Sequence, residues 1–329
     1  MSQTTTPLIP GKGKINIVFA HAAYQMGNSF GTRKTGLRFR EVRNLEDLKA
    51  AVPEADVLVV SGLWRNELLQ LAPLLRFVQS IGAGTDQYSQ DAFRAKGVRL
   101  ASAQGVNERA VSEHAMALIL AMSRQLHLAR DNQAKRNWRG MIADLGKREE
   151  ELGGKTLLIL GLGRIGSRLA NLARAFGMKV IGVKRDIANG GAAADEVIAL
   201  AQLRNVLPRA DFVALTCPLT PETEGLINAE ALAAMKPSAV LINVARGRVT
   251  DEPALTAALT EGRIGGAALD CFWEEPLAAA SPLWAMPNVL ITPHAAGETR
   301  LYESNVVDIL LENLDRLWQG QATLRNQVV

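Results

Sequence analysis

Lys155–Ala170 reads KTLLILGLGRIGSRLA, and the fold follows from this stretch. Thr156–Leu160 is an unbroken run of apolar and β-favouring residues, which predicts a buried strand. The residues after Gly163 repeat apolar positions at helical spacing and predict an amphipathic helix ending near Gly177. Between the two, Gly161, Gly163 and Gly166 have the G-x-G-x-x-G spacing. In that setting the first glycine permits the tight turn, the second lets a pyrophosphate approach the backbone, and the third lets helix and strand pack closely. The helix start adds free N–H groups and a positive dipole end, so the stretch reads as a dinucleotide-binding turn.

The turn lies in the middle of a chain of 329 residues, long enough for two domains with separate cores. Hydrophobic residues make up 48% and charged residues 21%, and no apolar run is long enough to span a bilayer, so no membrane partner is expected. The opening MSQTTTPLIPGKGK has no apolar core and reads as a short flexible leader rather than a signal peptide. Cys217 and Cys271 are too few for a disulfide framework and lack metal-ligand spacing, so no metal is expected. Together these features predict a cytoplasmic protein. A net charge of +4 without a dense basic stripe argues against nucleic acid as a partner.

Outward from the turn, short β-rich runs alternate with helical patterns, which predicts α/β architecture with parallel sheets. One set of strands is expected at Ile15–Phe19, Leu37–Val42, Asp56–Val60, Leu75–Ile81 and Val98–Ser102. A second begins at Thr156 and continues at Lys179–Val183, Phe212–Thr216, Ala239–Val244, Ala267–Cys271 and Val289–Thr292. Glu108–Arg130 predicts one long helix between the two sets, and Tyr302–Trp318 an amphipathic helix that returns to the first. The expectation is two doubly wound parallel-sheet domains. A Rossmann nucleotide-binding domain over residues 104–295 is inserted into a flavodoxin-like substrate domain made of residues 1–103 and 296–329. Arg130–Leu152 is polar around a single Trp138, which reads as an arm seeking a partner or as a docked loop.

Ligands of open α/β sheets bind beyond the carboxyl ends of the strands. In the second set those positions hold Lys184 and Arg185, then Cys217 and Pro218, then Arg246, then Asp270 and Glu275, and finally His294 in TPHAAG. Each has a bland alternative as a turn or surface residue, but their placement beyond successive strands of one nucleotide-binding sheet points to a common site. Arginine, carboxylate and histidine suit reduction of a 2-ketoacid by hydride transfer. Arg246 offers a bidentate fork for the carboxylate and polarises the carbonyl. His294 supplies the proton, and Glu275 orients the imidazole and favours its charged form.

At this point the chain resembles the D-isomer-specific 2-hydroxyacid dehydrogenases, a family that includes glyoxylate/hydroxypyruvate reductases, D-lactate dehydrogenases and phosphoglycerate dehydrogenases. The resemblance covers almost the whole chain through VQSIGAGTD (Val78–Asp86), VNERAVSEH (Val106–His114), GLGRIG (Gly161–Gly166), CPLTPETEGLI (Cys217–Ile227), LINVARG (Leu241–Gly247), ALDCFWEEPL (Ala268–Leu277) and TPHAAG (Thr292–Gly297). It implies a catalytic set of Arg246, Glu275 and His294, with the substrate carboxylate on the backbone N–H groups of Ala83 and Gly84. It implies Arg164 and Ile165 at the pyrophosphate, Cys217, Pro218 and Thr223 along the cofactor, and Ala245 and Asp270 near the nicotinamide. It also implies a homodimer in which the Trp138 segment reaches the partner subunit. Formate dehydrogenases of the family carry glutamine where Glu275 stands, which argues against that activity.

One position departs from the NAD-specific pattern. An acid at the end of the second strand holds the ribose hydroxyls in those members, whereas here Lys184 is followed by Arg185. The cationic pair suits the 2′-phosphate of NADP; the alternative is that Asp186 reaches the ribose of NAD. The leading expectation is an NADPH-preferring reductase of a small 2-ketoacid, with Trp64, Arg65, His21 and Tyr24 as pocket or rim residues. The alternatives are an NAD-linked dehydrogenase of D-lactate or a larger D-2-hydroxyacid, and a non-catalytic NAD(P)-sensing interaction protein.

Overall fold

The computed structural model describes residues 8–187 and 193–329. The chain divides into two compact units, one formed by Met1–Asn107 with Thr299–Val329 and one by Glu108–Glu298.

In the first unit β1 (Ile17–Ala20), β2 (Phe39–Val42), β3 (Val57–Val60), β4 (Phe77–Ser80) and β5 (Arg99–Ala101) form a parallel sheet in the order β2-β1-β3-β4-β5. Ile17 pairs with both Phe39 and Val57, and Val57 with Phe77. Strands β1, β3 and β4 are buried at every position, as continuous apolar runs covered on both faces must be. Alternate side chains feed two cores. Ile17, Phe19, Val57, Val59 and Phe77 pack with Val306, Leu310 and Leu314 of the helix Tyr302–Trp318. Val18, Leu58, Val60 and Val78 pack on the opposite face with Leu48, Leu68 and Phe93. Beside Met26 and Phe30 of the helix Met26–Gly31, the helix Tyr302–Trp318 thus covers much of the first of these faces. Buried Asn313 fastens it by donating to Gln79 Oε1 at 3.1 Å and accepting Arg325 N–H at 2.7 Å.

The expected flexible leader is only partly accounted for. Residues 1–7 of it lie outside the described residues, but Ile9 is buried in the core, Leu8 N–H bonds Leu317 O at 3.1 Å, and Trp318 Nε1 donates to Pro10 O at 2.8 Å. A Leu-Ile pair next to a proline is enough apolar surface to dock on a helix end.

Among the described residues the second unit holds a seven-stranded parallel sheet. Its strands are β6 (Thr156–Leu160), β7 (Lys179–Lys184), β8 (Glu196–Ala199), β9 (Phe212–Leu215), β10 (Val240–Asn243), β11 (Gly266–Leu269) and β12 (Val289–Ile291), in the order β12-β11-β10-β9-β6-β7-β8. The direction of winding reverses between β6 and β9, so their carboxyl ends frame the crevice typical of a Rossmann sheet. Strand β8 is an element that the sequence reading lacks: EVIA is a half-buried edge strand whose two β-branched residues follow a run of glycine and alanine. The single long helix expected at Glu108–Arg130 is two helices, Glu108–Ser123 and Leu126–Ala134, separated at Gln125, which has φ +51°. The periodicity survives the break because neither glycine nor proline marks it. No helix among the described residues is long and apolar enough to cross a membrane.

Candidate active site

Strand β6 delivers the chain into the glycine turn, and the three glycines differ in what surrounds them. Gly161 has φ +99°, and a Cβ there would lie 2.6 Å from Cys217 N; at Gly166 it would lie 2.3 Å from Gly161 O. Both are closed to any side chain by neighbouring backbone. At Gly163 a Cβ would meet nothing within 4 Å. That residue caps the helix Arg164–Ala175 without a side-chain hydrogen bond, so open space lies over the first turn of a helix whose start carries Arg164 and Ile165. Space, unfilled N–H groups and the dipole end are what a pyrophosphate requires, and the turn fits one.

A cavity of about 420 Å³ opens beside the turn and brings Gly161, Gly163, Lys184, Arg185, Cys217, Pro218 and Thr223 together. Asp186 and Glu222 also line it, so the cationic pair does not stand alone. Lys184 is the last residue of β7 and half-buried, whereas Arg185 is exposed. The Glu222 carboxyl is held below its usual range, first by a hydrogen bond from Thr220 and further by the nearby Arg185 charge. Thr223 shapes the opposite wall: its hydroxyl donates to Pro218 O at 2.7 Å and accepts Thr220 N–H at 2.8 Å, closing the loop after β9. Cys217 is buried and its thiol is pushed up to about 11, which makes it wall rather than nucleophile. Arg164, Ile165, Ala245 and Asp270 do not line this cavity.

The second cluster stands at the ends of β10, β11 and β12. Buried Asn243 closes β10 by accepting Ala245 N–H and donating to Arg246 O, each at 3.0 Å, and Arg246 Nη1 donates to Ala245 O at 2.7 Å. Gly247 then packs against the chain beyond β11, where a Cβ would come within 2.0 Å of the Phe272 carbonyl carbon. That approach brings the Arg246 turn beside the loop bearing Glu275. Glu275 Oε1 accepts Phe272 N–H at 3.0 Å, and Oε2 meets His294 Nδ1 at 2.7 Å.

His294 has φ +53°, an uncommon backbone state for a residue with a side chain, and a buried carboxylate holds its loop in place. Asp270 is 1% exposed and accepts Thr292 Oγ1 at 2.6 Å, Ala295 N–H at 2.9 Å and Ala296 N–H at 3.0 Å. His114 Nε2 reaches Thr292 Oγ1 at 3.0 Å and completes the network. Asp270 is thus an anchor for the histidine loop, a task that its resemblance-based place near the nicotinamide does not express. Asn243, Thr292 and His114 are site residues that sequence reasoning missed. The signal for Asn243 was a lone amide at the end of an otherwise apolar strand.

These contacts set the protonation states. The hydrogen bond to Glu275 raises the His294 pKa above its ordinary value, against burial and the opposing charge of Arg246. Burial pushes Glu275 upward, but the hydrogen bonds from His294 and Phe272 N–H, with the two nearby cations, bring it below the usual carboxylate range. Both shifts favour an imidazolium on a carboxylate, a state in which Nε2 carries a proton that Glu275 does not engage. Such a group beside an arginine can protonate an oxygen that gains negative charge.

In the first unit the turn after β4 is held by Ser80, whose Oγ donates to Gly82 O at 2.9 Å and accepts Gly82 N–H at 3.1 Å. Among the described residues the N–H groups of Ala83 and Gly84 have no protein acceptor, as an anion nest requires. Trp64 does not fit its expected place in a pocket. It is 3% exposed, packs on Tyr88 and Phe93 with ring centroids at 5.2 and 5.3 Å, and its N–H is satisfied by Asn66 at 3.0 Å. The large indole is used as core.

Comparison with known proteins is consistent with this arrangement. The family model described as D-isomer specific 2-hydroxyacid dehydrogenase, NAD binding domain, matches residues 116–296. The D-3-phosphoglycerate dehydrogenase of Mycobacterium bovis is 40% identical over 256 residues, which cover 77% of this chain and 47% of that protein. The chain thus spans about half the length of the first curated relatives it matches. The glyoxylate reductase of Aeropyrum pernix is 37% identical over 289 residues, 84% of each chain. Among solved structures, an NADPH-dependent glyoxylate/hydroxypyruvate reductase from Sinorhizobium meliloti, in complex with NADP and malonate, superposes with a TM-score of 0.82 at 26% identity, covering 96% of this chain and 97% of that one. This chain belongs to the D-isomer-specific 2-hydroxyacid dehydrogenases.

Proposed function

We propose that the protein reduces a small 2-ketoacid, of the glyoxylate or hydroxypyruvate kind, to a D-2-hydroxyacid with NADPH as the hydride source. The observation that carries this reading is the 2.7 Å His294–Glu275 contact at strand ends of a sheet that also carries the glycine turn. When bound, the nicotinamide supplies the hydride. Arg246 engages the carboxylate and polarises the carbonyl, His294 passes its Nε2 proton to the carbonyl oxygen, and Glu275 stabilises the imidazolium and fixes its ring. The Ala83 and Gly84 N–H groups are assigned to the substrate carboxylate. Gly161, Gly163, Gly166, Arg164 and Ile165 are assigned to the pyrophosphate, and Ala245 to the nicotinamide end.

The NADPH preference rests on Lys184 and Arg185 in the cavity wall, where two cations favour a 2′-phosphate. Asp186 and Glu222 in the same wall favour the second reading, an NAD-linked enzyme. We also assign a homodimer, because Trp138 is 97%, Met141 101% and Leu145 75% exposed on one segment. Glyoxylate, hydroxypyruvate, pyruvate and a larger 2-ketoacid, each assayed with NADPH and NADH, test the reading. Turnover of the small acids with NADPH supports it, a reversed cofactor order leaves the NAD-linked dehydrogenase, and cofactor binding without turnover leaves a sensor.

A further inference from the structure

The carboxyl end of the first unit's sheet carries a titratable group to which the reaction above gives no task. His21 directly follows β1, and in the order β2-β1-β3-β4-β5 the winding reverses between β1 and β3. Sheets of this order open their ligand crevice at that switch point. Two backbone N–H groups point into the ring, from Ala23 at 3.1 Å and Tyr24 at 2.8 Å, both to Nδ1. A proton on Nδ1 would forfeit both bonds, so the imidazole is held as the neutral tautomer with its hydrogen on Nε2. Burial, and after it the Arg43 charge, push the His21 pKa below its ordinary value, against Glu303. Arg43 is itself engaged, with Tyr24 O at 2.6 Å and with Glu41 at 3.2 Å.

The ring is also fixed in place. It stacks on Tyr24 at 4.3 Å, Tyr24 stacks on Tyr302 at 4.9 Å, and the Tyr302 hydroxyl donates to Ile81 O at 2.9 Å. Ile81 is the residue before the Gly82–Gly84 turn, so one aromatic stack ties the imidazole to the two open N–H groups of Ala83 and Gly84.

We propose that His21 determines specificity by donating its Nε2–H to a neutral hydroxyl on C3 of the 2-ketoacid whose carboxylate rests on Ala83 and Gly84. The proposal rests on the 2-ketoacid reductase reading. A single neutral donor satisfies a hydroxyl; a methyl group in its place leaves a polar N–H unpaired, and that loss discriminates far better than missing apolar contact. A phosphate ester at C3 would bring charge beside Arg43, which is already paired with Glu41. The order expected at this subsite is therefore hydroxyl over methyl and over phosphate.

The test compares kcat/KM for hydroxypyruvate, pyruvate and 3-phosphohydroxypyruvate, each divided by that for glyoxylate, in the wild type, His21→Phe and His21→Gln. Glyoxylate has no C3, so the ratio cancels any loss of folded enzyme or of His294 chemistry. The Phe variant keeps the stack and removes the donor, and its hydroxypyruvate ratio is expected to fall roughly 10- to 100-fold while the pyruvate ratio holds. Glutamine, with an N–H near the same position, is expected to recover most of that loss. An unchanged hydroxypyruvate ratio in His21→Phe, or a wild type that prefers the phosphate ester, would overturn the proposal. A wild type that reduces none of these acids would instead remove the reductase reading, and the proposal with it.

Discussion

The two sheets are wound alike, yet their carboxyl ends are furnished differently. The second ends in charged side chains already set against one another: His294 on Glu275, Asp270 beneath their loop, Arg246 beside them. The first offers the backbone N–H groups of Ala83 and Gly84 and, after β1, the His21 ring accepting two N–H bonds at Nδ1, with Arg43 beside it already paired to Glu41. Charge prepared in advance suits chemistry that moves a proton, because the groups need no rearrangement as charge develops. Uncharged donors suit recognition, where shape and hydrogen-bond count decide. On the proposed reading, the difference divides the work: proton transfer falls to the second unit and substrate reading to the first.

The strongest way to break that division is His294→Ala, which should lower the reduction rate by a factor on the order of 10² to 10⁴ while cofactor titration still shows binding. Unchanged turnover would remove the second unit's proton donor. Glu275→Gln keeps the acceptor for Phe272 N–H and removes the charge. We expect a loss of roughly 10- to 100-fold and a displaced pH profile. The sign is set by the raised His294 pKa: the acid form is present at low pH and is lost as pH rises through that value. Without the carboxylate the pKa returns toward the ordinary one, so the alkaline decline should begin at lower pH. A profile that stays in place would sever the glutamate from the histidine's titration.

Neutralising Lys184 and Arg185 together should weaken NADPH roughly tenfold or more while NADH changes little, as measured by cofactor KM. Equal losses would show that the pair serves the adenosine generally. The smallest effect is expected from Trp64→Phe, a core change that should cost about 1 kcal/mol in denaturant unfolding and leave substrate KM within a factor of two. A large KM effect would return Trp64 to the first unit's pocket.

Legibility in the sequence follows the same division. The Arg246, Glu275 and His294 set stood out because reactive residue types after apolar strands are rare enough to notice. The glycine turn stood out because two of its glycines, Gly161 and Gly166, are forced by backbone contact, while Gly163 leaves space open over the helix start. What was hidden acts through shape or through atoms that every residue has. A left-handed Gln125 breaks a helix without a glycine to announce it. Edge strand β8 buries too little to show a pattern, and Trp64 could not be sorted between core and pocket by type alone. Asp270 was noticed, but its work of holding the 292–296 loop lies in backbone N–H groups that no spacing reveals.

The helix Tyr302–Trp318 packs over one face of the first sheet and is encoded after the whole of the second unit. On the ribosome this reverses the usual order of maturation. The second unit is contiguous and can close as soon as Glu298 has cleared the exit tunnel. Strands β1 to β5 wait without Val306, Leu310 and Leu314 over Val57, Val59 and Phe77, for roughly 10 to 40 seconds at ordinary elongation rates. Nascent chains halted before Tyr302 are therefore the form of this protein most in need of a chaperone.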